Sequence, residues 1–448
     1  MQCVTGARYR HLAPPLPPPF RRPPLMKNIL ITTIGSAGDI HPFIAVGIAL
    51  ARRGCRVTVL TNPYYEERIR AAGLLFAPVG TREDLFRVLE DPALTKPWRS
   101  PLLIIRELIG GSVGPTIAAV NAQIAQRKVD LIVRHHISLG SRWVAQKQNI
   151  PCVTCVLAPL FMMNPNAPAV HHPSQSLNAS PRIMRMRLAF NKYLLRLLYD
   201  RPLNRQRRIH GFPNERDLFR TEIQSCDKVL GLWSRAFRPP IDGDPANVTI
   251  TGFCTFDSSP AQQADNHDLT TFLEECKQFG PGLLVFTLGT SVVHHSNGFY
   301  ELAAAAASAL KLPAVLLVGD AKYAPKTLPQ SVRAFPYAPY SLLFPAATAI
   351  IHHGGIGTTA AAMAHGKPTV IIPFANDEFD NAARAQQLGV SLTLLATRLS
   401  AARLRDTLAQ LTSQPAFSQA AHALATRMAA DQGPSHAADA ILGLLTSR

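Results

Sequence analysis

The chain has 448 residues, of which 47% are hydrophobic and 17% are charged, so it can form two or three globular domains with sizeable cores. Its apolar runs are broken by Arg, Pro or Gly before they reach the roughly 18 to 20 residues that cross a bilayer, which excludes an integral membrane protein on this criterion. The net charge of +17 favours anionic partners such as nucleic acid, acidic membrane surfaces or phosphate-bearing small molecules. Seven thinly spread cysteines indicate a reducing, cytoplasmic location rather than a disulfide framework.

Residues 1–25 are rich in proline and arginine and predict a disordered tail. From Asn28 onward, short apolar runs alternate with helical stretches, which is typical of doubly wound α/β sheets. The first unit has predicted strands at 28–34, 56–60, 74–78, 129–133, 152–157, 228–232 and 249–252, with helices at 42–53 and 64–72. The second unit has predicted strands at 283–288, 314–318, 348–351, 369–372 and 391–394. This repetition predicts an α/β fold with two Rossmann-like domains.

Two motifs that bind metals in other proteins have a structural explanation here. Cys152 and Cys155 form a C-x-x-C inside an apolar run that predicts a buried strand, where residues three apart face opposite sides. Asp242-Gly243-Asp244 lies in a turn flanked by Pro and Gly. We therefore predict no metal site.

The turn after the first predicted strand is one candidate site. It has the sequence Gly35-Ser36-Ala37-Gly38-Asp39-Ile40-His41-Pro42, and Pro42 suits the first position of a helix. It is not the G-x-G-x-x-G of dinucleotide binding, and the chain has no P-loop lysine motif. Asp39 is either a cap of the following helix or a general base, and its spacing alone favours the cap. His41 is an alternative base.

The glycine-rich loop after predicted strand 348–351 is the second candidate site. It has the sequence His352-His353-Gly354-Gly355-Ile356-Gly357-Thr358-Thr359. Glycines let the backbone approach a ligand closely, and the following helix offers free N–H groups at the positive end of its dipole. The loop therefore predicts a phosphate site, with a plain turn capped by threonine as the less favoured alternative.

These motifs, in this order, resemble the signature of GT-B nucleotide-sugar glycosyltransferases, the superfamily of plant and macrolide glucosyltransferases. The resemblance covers nearly the whole chain from Met26. It implies two domains facing each other across a cleft: an acceptor-binding domain at 26–256, a linker at 257–267, and a donor-binding domain with C-terminal helices at 268–448. It also implies an inverting, metal-independent hexosyltransferase that needs no cofactor, in which Asp39 deprotonates the acceptor hydroxyl.

The resemblance assigns donor-binding roles to matching positions. The element whose aromatic residue stacks on the nucleobase corresponds to Tyr337-Ala338. The residues that contact sugar hydroxyls correspond to Asp377 and Glu378. The residues that contact the phosphates correspond to Thr290, Ser291, His353, Gly355, Gly357, Thr358 and Thr359. Glu378 replaces the usual Gln, which favours a different hydroxyl pattern or requires a protonated or cation-paired carboxyl. Ala361 stands where many UDP-sugar enzymes carry a ribose-binding Glu, which suits a dTDP-linked donor.

Within the superfamily, the chain most resembles the bacterial rhamnolipid-type rhamnosyltransferases, in residues 34–39 and 377–382. That similarity implies transfer of L-rhamnose from dTDP-L-rhamnose to a lipid-like acceptor such as a 3-hydroxyalkanoyloxy-alkanoate. The alternative is UDP-glucose-dependent transfer to a sterol, polyketide or other hydrophobic acceptor. A nucleic-acid-binding protein is less favoured, because the sequence has no zinc-finger spacing or RNP-like motif. An epimerase on the same fold is also less favoured, because its set of catalytic carboxylates could not be assigned.

The positive charge is concentrated in residues 182–208. This segment has nine Lys or Arg residues against one acidic residue, Asp200, and they interleave with large apolar residues. The pattern indicates a basic amphipathic helix that either binds the anionic inner face of the cytoplasmic membrane or presents a solvated charged face. In the resembling family this region lines the acceptor cleft, and residues 158–179 are expected to form the pocket loops.

Overall fold

The computed structural model describes residues 26–446 apart from 165, 168, 173, 258–266, 280 and 281. The predicted tail at 1–25 and most of the predicted linker at 257–267 lie outside the described residues. Within these bounds the chain forms two parallel sheets, each with helices on both faces.

The first sheet has seven parallel strands in the order β3-β2-β1-β4-β5-β6-β7. Its strands are β1 Asn28–Thr32, β2 Arg56–Thr61, β3 Leu75–Pro78, β4 Leu131–His135, β5 Cys152–Val156, β6 Lys228–Gly231 and β7 Val248–Ile250. Its helices are α1 Ala37–Ala51, α2 Glu66–Ala71, α3 Arg82–Leu89, α4 Ser100–Leu103, α5 Gly111–Gln126, α6 Leu139–Lys147, α7 Pro181–Leu195, α8 Arg201–Ile209 and α9 Leu218–Gln224.

The second sheet has six parallel strands in the order β10-β9-β8-β11-β12-β13. Its strands are β8 Leu284–Thr287, β9 Ala314–Leu317, β10 Val332–Phe335, β11 Ala349–His352, β12 Thr369–Ile371 and β13 Ser391–Thr393. The helices of this half are α10 His267–Phe279, α11 Gly289–Val292, α12 Phe299–Ala309, α13 Tyr340–Leu343, α14 Ile356–Ala364, α15 Glu378–Gln387, α16 Ala401–Ser413, α17 Pro415–Ala429 and α18 Gly433–Thr446.

The strand order of each sheet reverses at its centre. In the first sheet β1 pairs with both β2 and β4, and in the second β8 pairs with both β9 and β11. Ligands of open α/β sheets bind where the order reverses, beyond the carboxyl ends of the strands. The turn after β1 and the loop after β11 both lie at such a point, so the topology places both candidate sites where ligands bind.

Twelve predicted strands are confirmed, with ends that differ by at most two residues from those observed. The prediction missed β10, a strand of four residues whose apolar run is interrupted by Arg333. The predicted start of α1 is wrong by five residues, because the helix begins at Ala37 rather than at Pro42. Ser36 and Asp39 supply a capping box at the true start, and Pro42 is accommodated inside the first turns. Cys152 and Cys155 are confirmed as buried strand residues.

We expected no segment to be long and apolar enough to cross a bilayer, and by the criteria of helix length and composition this expectation is wrong. One helix, Ser100–Gln126, is long and apolar enough to do so among the described residues. Gly and Pro, which were expected to interrupt it, are accommodated in a continuous helix that includes a π-helical stretch at Ile104–Gly110. Such a helix by itself is weak evidence for a membrane span, and Val113, Ile117 and Val120 pack into the core of the first domain.

Candidate active site

The turn after β1 is shaped around the carboxylate of Asp39. Gly35 has a φ of +123°, and a Cβ at this position would lie 2.3 Å from Asp39 Oδ2, so only glycine fits. Asp39 Oδ2 accepts hydrogen bonds from the Ser36 N–H at 2.8 Å and from the Ser36 hydroxyl at 3.0 Å. The N-cap of α1 is therefore Ser36 rather than Asp39, and Asp39 is the acidic residue in the first turn that completes the capping box.

Capping leaves Asp39 suited to act as a base as well. Burial raises its pKa to about 7; the two hydrogen bonds from Ser36 oppose this shift, and the nearby negative charge of Asp377 adds to it. A general base works best with a pKa near the working pH. The two interpretations of Asp39 that spacing kept apart are therefore compatible.

The alternative base, His41, is engaged elsewhere. Its Nε2 lies 2.9 Å from a guanidinium nitrogen of Arg68, and its ring meets the edge of the Phe256 ring at 5.5 Å. Arg68 can only donate, so it occupies the lone pair that a base would use. Burial and the charge of Arg68 lower the pKa of His41 to about 3. The geometry favours Asp39 over His41.

The loop after β11 encloses the ring of His353. A Cβ on Gly355 would lie 2.4 Å from His353 Nε2, and one on Gly289 would lie 2.5 Å from His353 Cε1, so two glycines make room for the ring. Ser291 Oγ is 3.5 Å from Nε2. His353 Nδ1 is buried and has no hydrogen-bond partner among the described residues. Burial lowers the pKa of His353 to about 4, so the ring is neutral and can donate one N–H to an anion.

The threonines of this loop have different surroundings. The hydroxyl of Thr358 lies 3.4 Å from the Tyr340 hydroxyl, which is 3.5 Å from Thr287 Oγ1. Thr359 instead donates to the Gly355 carbonyl oxygen at 3.0 Å. Thr359 thus points into its own helix, and this geometry gives no support to a phosphate contact from its side chain.

The two candidate sites meet across the cleft between the domains. The Ala37 N–H donates to Thr290 Oγ1 at 3.2 Å. A Cβ on Gly357 would lie 3.7 Å from Gly38 Cα. The turn that holds Asp39 therefore directly faces the loops that hold Thr290 and His353.

Asp377 is tied to the same loop. Its Oδ2 accepts a hydrogen bond from Asn381 Nδ2 at 2.8 Å, and Asn381 Nδ2 also lies 2.9 Å from the carbonyl oxygen of Gly354. Burial raises the pKa of Asp377 to about 6. Sequence reasoning gave Asn381 no role, although its position one turn after Asp377 could have suggested one.

Glu378 is folded back onto the start of its own helix. Its Oε2 accepts the N–H groups of Phe374 at 2.6 Å and Ala375 at 3.0 Å. Burial raises the pKa of Glu378 to about 8, so its carboxyl is protonated at neutral pH. Of the options left open for this carboxyl, the structure favours the protonated form.

The remaining predicted donor residues differ in exposure. Half of the Tyr337 side chain is exposed, so its ring has a face on which a base could stack. Ala338 is buried in the core of the second domain and can offer only its backbone. Tyr340, which sequence reasoning did not assign, connects Thr287 to Thr358 and stacks on Phe344 with ring centroids 4.1 Å apart.

The Asp242-Gly243-Asp244 motif, which was considered as a metal site, has other contacts. Asp244 forms an ion pair with Arg238 and accepts a hydrogen bond from Asn164. In the part of the chain that the structure describes, no group of three His, Cys, Asp or Glu side chains could hold a metal ion.

Two protein families match the two ends of the chain. Residues 29–110 match the glycosyltransferase family 28 N-terminal domain. Residues 290–444 match the C-terminal domain of erythromycin biosynthesis protein CIII-like proteins. The matched segments carry Asp39 in one case and His353 with Asp377 in the other.

Known proteins resemble the chain along most of its length. Sterol 3-beta-glucosyltransferase of Yarrowia lipolytica is 25% identical to this chain over 81% of the chain's length. The chain spans only a quarter (25%) of the length of that relative. The crystal structure of the kitacinnamycin glycotransferase matches with a TM-score of 0.72 at 21% identity, covering 94% of this chain and all of that one. The glycosyltransferase VinC, solved in complex with dTDP, matches with a TM-score of 0.64 at 19% identity, again over 94% of this chain and all of that one. The two matched segments lie one in each half of the chain, and the fold is that of glycosyltransferases of known structure.

Proposed function

We propose that the protein transfers a hexose, with inversion, from a nucleoside diphosphate sugar to a hydroxyl of a hydrophobic acceptor. One observation carries the proposal: the Asp39 carboxyl, whose pKa is raised to about 7, faces a loop in which a buried nitrogen of His353 has no hydrogen-bond partner among the residues that the structure describes. A base and an anion-binding group thus lie on opposite sides of one cleft.

The proposed reaction is a single displacement. The ionised Asp39 takes the proton of the acceptor hydroxyl, and the acceptor oxygen forms a bond to the anomeric carbon. The bond from that carbon to the diphosphate oxygen breaks, and its electron pair leaves with the nucleoside diphosphate. His353 and the free N–H groups at the start of α14 are suited to stabilise this charge, because preorganised donors act most strongly where charge develops.

The identities of the donor and acceptor are a finer part of the proposal. The relatedness to sterol 3-beta-glucosyltransferases supports UDP-glucose as donor and a sterol-like or polyketide acceptor. Transfer of L-rhamnose from dTDP-L-rhamnose to a hydroxylated lipid is the second candidate. Ala361 in α14 is the specific observation in its favour, because it offers no carboxylate to a ribose hydroxyl. The glucosyl proposal has the better support.

Thermal unfolding with UDP, dTDP and GDP at equal concentrations tests the donor site. We expect UDP or dTDP to raise the melting temperature, because a ligand at a hundredfold excess over its Kd stabilises the folded state by about 2.7 kcal/mol. A larger effect of UDP supports the glucosyl donor, and a larger effect of dTDP supports the rhamnosyl donor. If none of the three nucleotides shifts the transition, the donor site around His353 is wrong.

A further inference from the structure

Helices α7 and α8 form one continuous helical segment, Pro181–Ile209, through a π turn at Arg196–Asp200. Of the fourteen large hydrophobic side chains that are exposed among the described residues, eight lie on this segment. Six of them, which we call the outer stripe, are Ile183, Met186, Phe190, Tyr193, Leu194 and Leu197. An exposed apolar patch of this kind marks an interaction surface.

The outer stripe lies on one side of the helix. Each member lies three or four residues from at least one other member, so they share one face. Met186 is 66% exposed, and Phe190 and Tyr193 are each 64% exposed. Tyr193 is well suited to a membrane interface, where amphipathic rings are enriched, and Phe190 is suited to the apolar layer beneath it.

Positive charge accompanies the stripe. Exposed arginines of the segment include Arg182, Arg201 and Arg205. The one acidic residue is turned away, because the Asp200 carboxylate accepts the N–H groups of Asp217 and Leu218 at 2.9 Å each. Arg207, which the sequence pattern placed with the others, is buried and paired with Glu215 at 2.8 Å. The accessible charge of the surface is therefore strongly positive.

The neighbouring face of the same helix borders a cavity between the two domains. Met184, Arg187 and Leu188 line a cavity whose far wall includes Leu160 of the first domain and Arg384 of the second. The outer stripe and the cavity therefore lie on adjoining faces of one helix. An acceptor held in a lipid layer against the outer stripe would be one helix diameter from the cavity.

We propose that the outer stripe and its flanking arginines dock the protein on an anionic lipid bilayer. The apolar side chains enter the boundary between headgroups and acyl chains, while the arginines extend to lipid phosphates. Charge complementarity favours this partner over a second copy of the chain, whose matching surface would carry the same positive charge. The docking itself does not depend on the proposed function; delivery of a membrane-borne acceptor to the cleft does rest on it.

Flotation of the full chain with vesicles tests this docking. We expect binding to mixed phosphatidylcholine and phosphatidylglycerol vesicles at low salt, and weaker binding to phosphatidylcholine alone or at high salt. The double variant Arg182→Glu, Arg205→Glu should lower the partition coefficient about tenfold or more, since each cation near an anionic surface contributes about 1 kcal/mol, which is roughly fivefold. Its matched control is Lys311→Glu, Lys326→Glu, which makes the same change of charge at exposed sites of the second domain and should bind like the unmodified chain.

The apolar part of the surface is tested separately. Phe190→Ser with Tyr193→Ser should lose most vesicle binding, whereas Leu75→Ser, at an exposed apolar side chain of the edge strand β3, should not. Unchanged nucleotide-induced stabilisation in each variant shows that its fold and donor site are intact.

Three outcomes would overturn the docking proposal: no binding of the unmodified chain at low salt, binding that survives the Phe190 and Tyr193 changes, or a dimer in solution that these changes dissociate. The last would make the stripe a subunit interface. Vesicle binding without any nucleotide effect would leave the docking standing and refute the proposed function.

Discussion

Asp39→Asn should lower the rate of sugar transfer by about 10²- to 10⁴-fold, the usual contribution of a general base. The amide keeps an oxygen that can accept the hydrogen bonds of Ser36, but it cannot take a proton from the acceptor. Nucleotide binding should change little, because the donor contacts lie on the other side of the cleft. Steady-state kinetics with thermal unfolding in UDP or dTDP measures both effects.

The chain offers a matched control for this substitution. Asp84 occupies the same capping position in α3, where its carboxylate accepts the Thr81 N–H at 3.0 Å and the Thr81 hydroxyl at 3.1 Å. Asp84→Asn makes the same chemical change at an exposed helix start and should leave the rate nearly unchanged. If both variants lose activity equally, Asp39 acts only as a cap. If Asp39→Asn remains fully active, Asp39 is not the base.

Gly355→Ala should damage the donor site through a steric clash alone. The added Cβ would lie 2.4 Å from His353 Nε2, and the ring has little room to retreat because it is buried and already close to Gly289. Gly355 has an ordinary φ of −57°, so backbone strain does not contribute. Displacing a catalytic group by about 1 Å can cost on the order of 10²-fold in rate, and we expect such a loss together with weaker nucleotide binding.

Gly443→Ala is the control for this substitution. Gly443 lies inside α18, and a Cβ there would meet nothing within 4 Å, so alanine should be neutral or slightly stabilising. Titration calorimetry with UDP and dTDP compares the two variants. Nucleotide binding and turnover of Gly355→Ala equal to those of the unmodified chain would contradict the role given to His353.

The parallel strands were predictable because strands buried on both faces are nearly continuous apolar runs. Thus β5 and β11 could be located from residues 152–157 and 348–351 alone. β10 was missed because Arg333 interrupts a run of only four residues. The start of α1 was misjudged because Pro42 was given more weight than the capping box of Ser36 and Asp39.

The positions of the site residues were predictable, but the orientations of their side chains were not. A motif shows that Thr359 and Glu378 belong to the loops around the cleft, but it does not give their rotamers. Both side chains turn back to their own backbone. The partner of His41 was also out of reach, because Arg68 lies 27 residues away on a different helix. Contacts of this kind depend on how the helices pack rather than on local pattern.

The pH dependence of kcat/KM tests the role of Asp39 most directly. The base acts as a carboxylate, and burial raises its pKa to about 7, so its active fraction falls tenfold for each pH unit below that value. His353, with a pKa lowered to about 4, stays neutral across the same range. We therefore expect kcat/KM to rise tenfold per unit between about pH 5 and pH 7 and to level off above it. A profile that is flat over this range, or that falls as the pH rises, would contradict Asp39 as the general base.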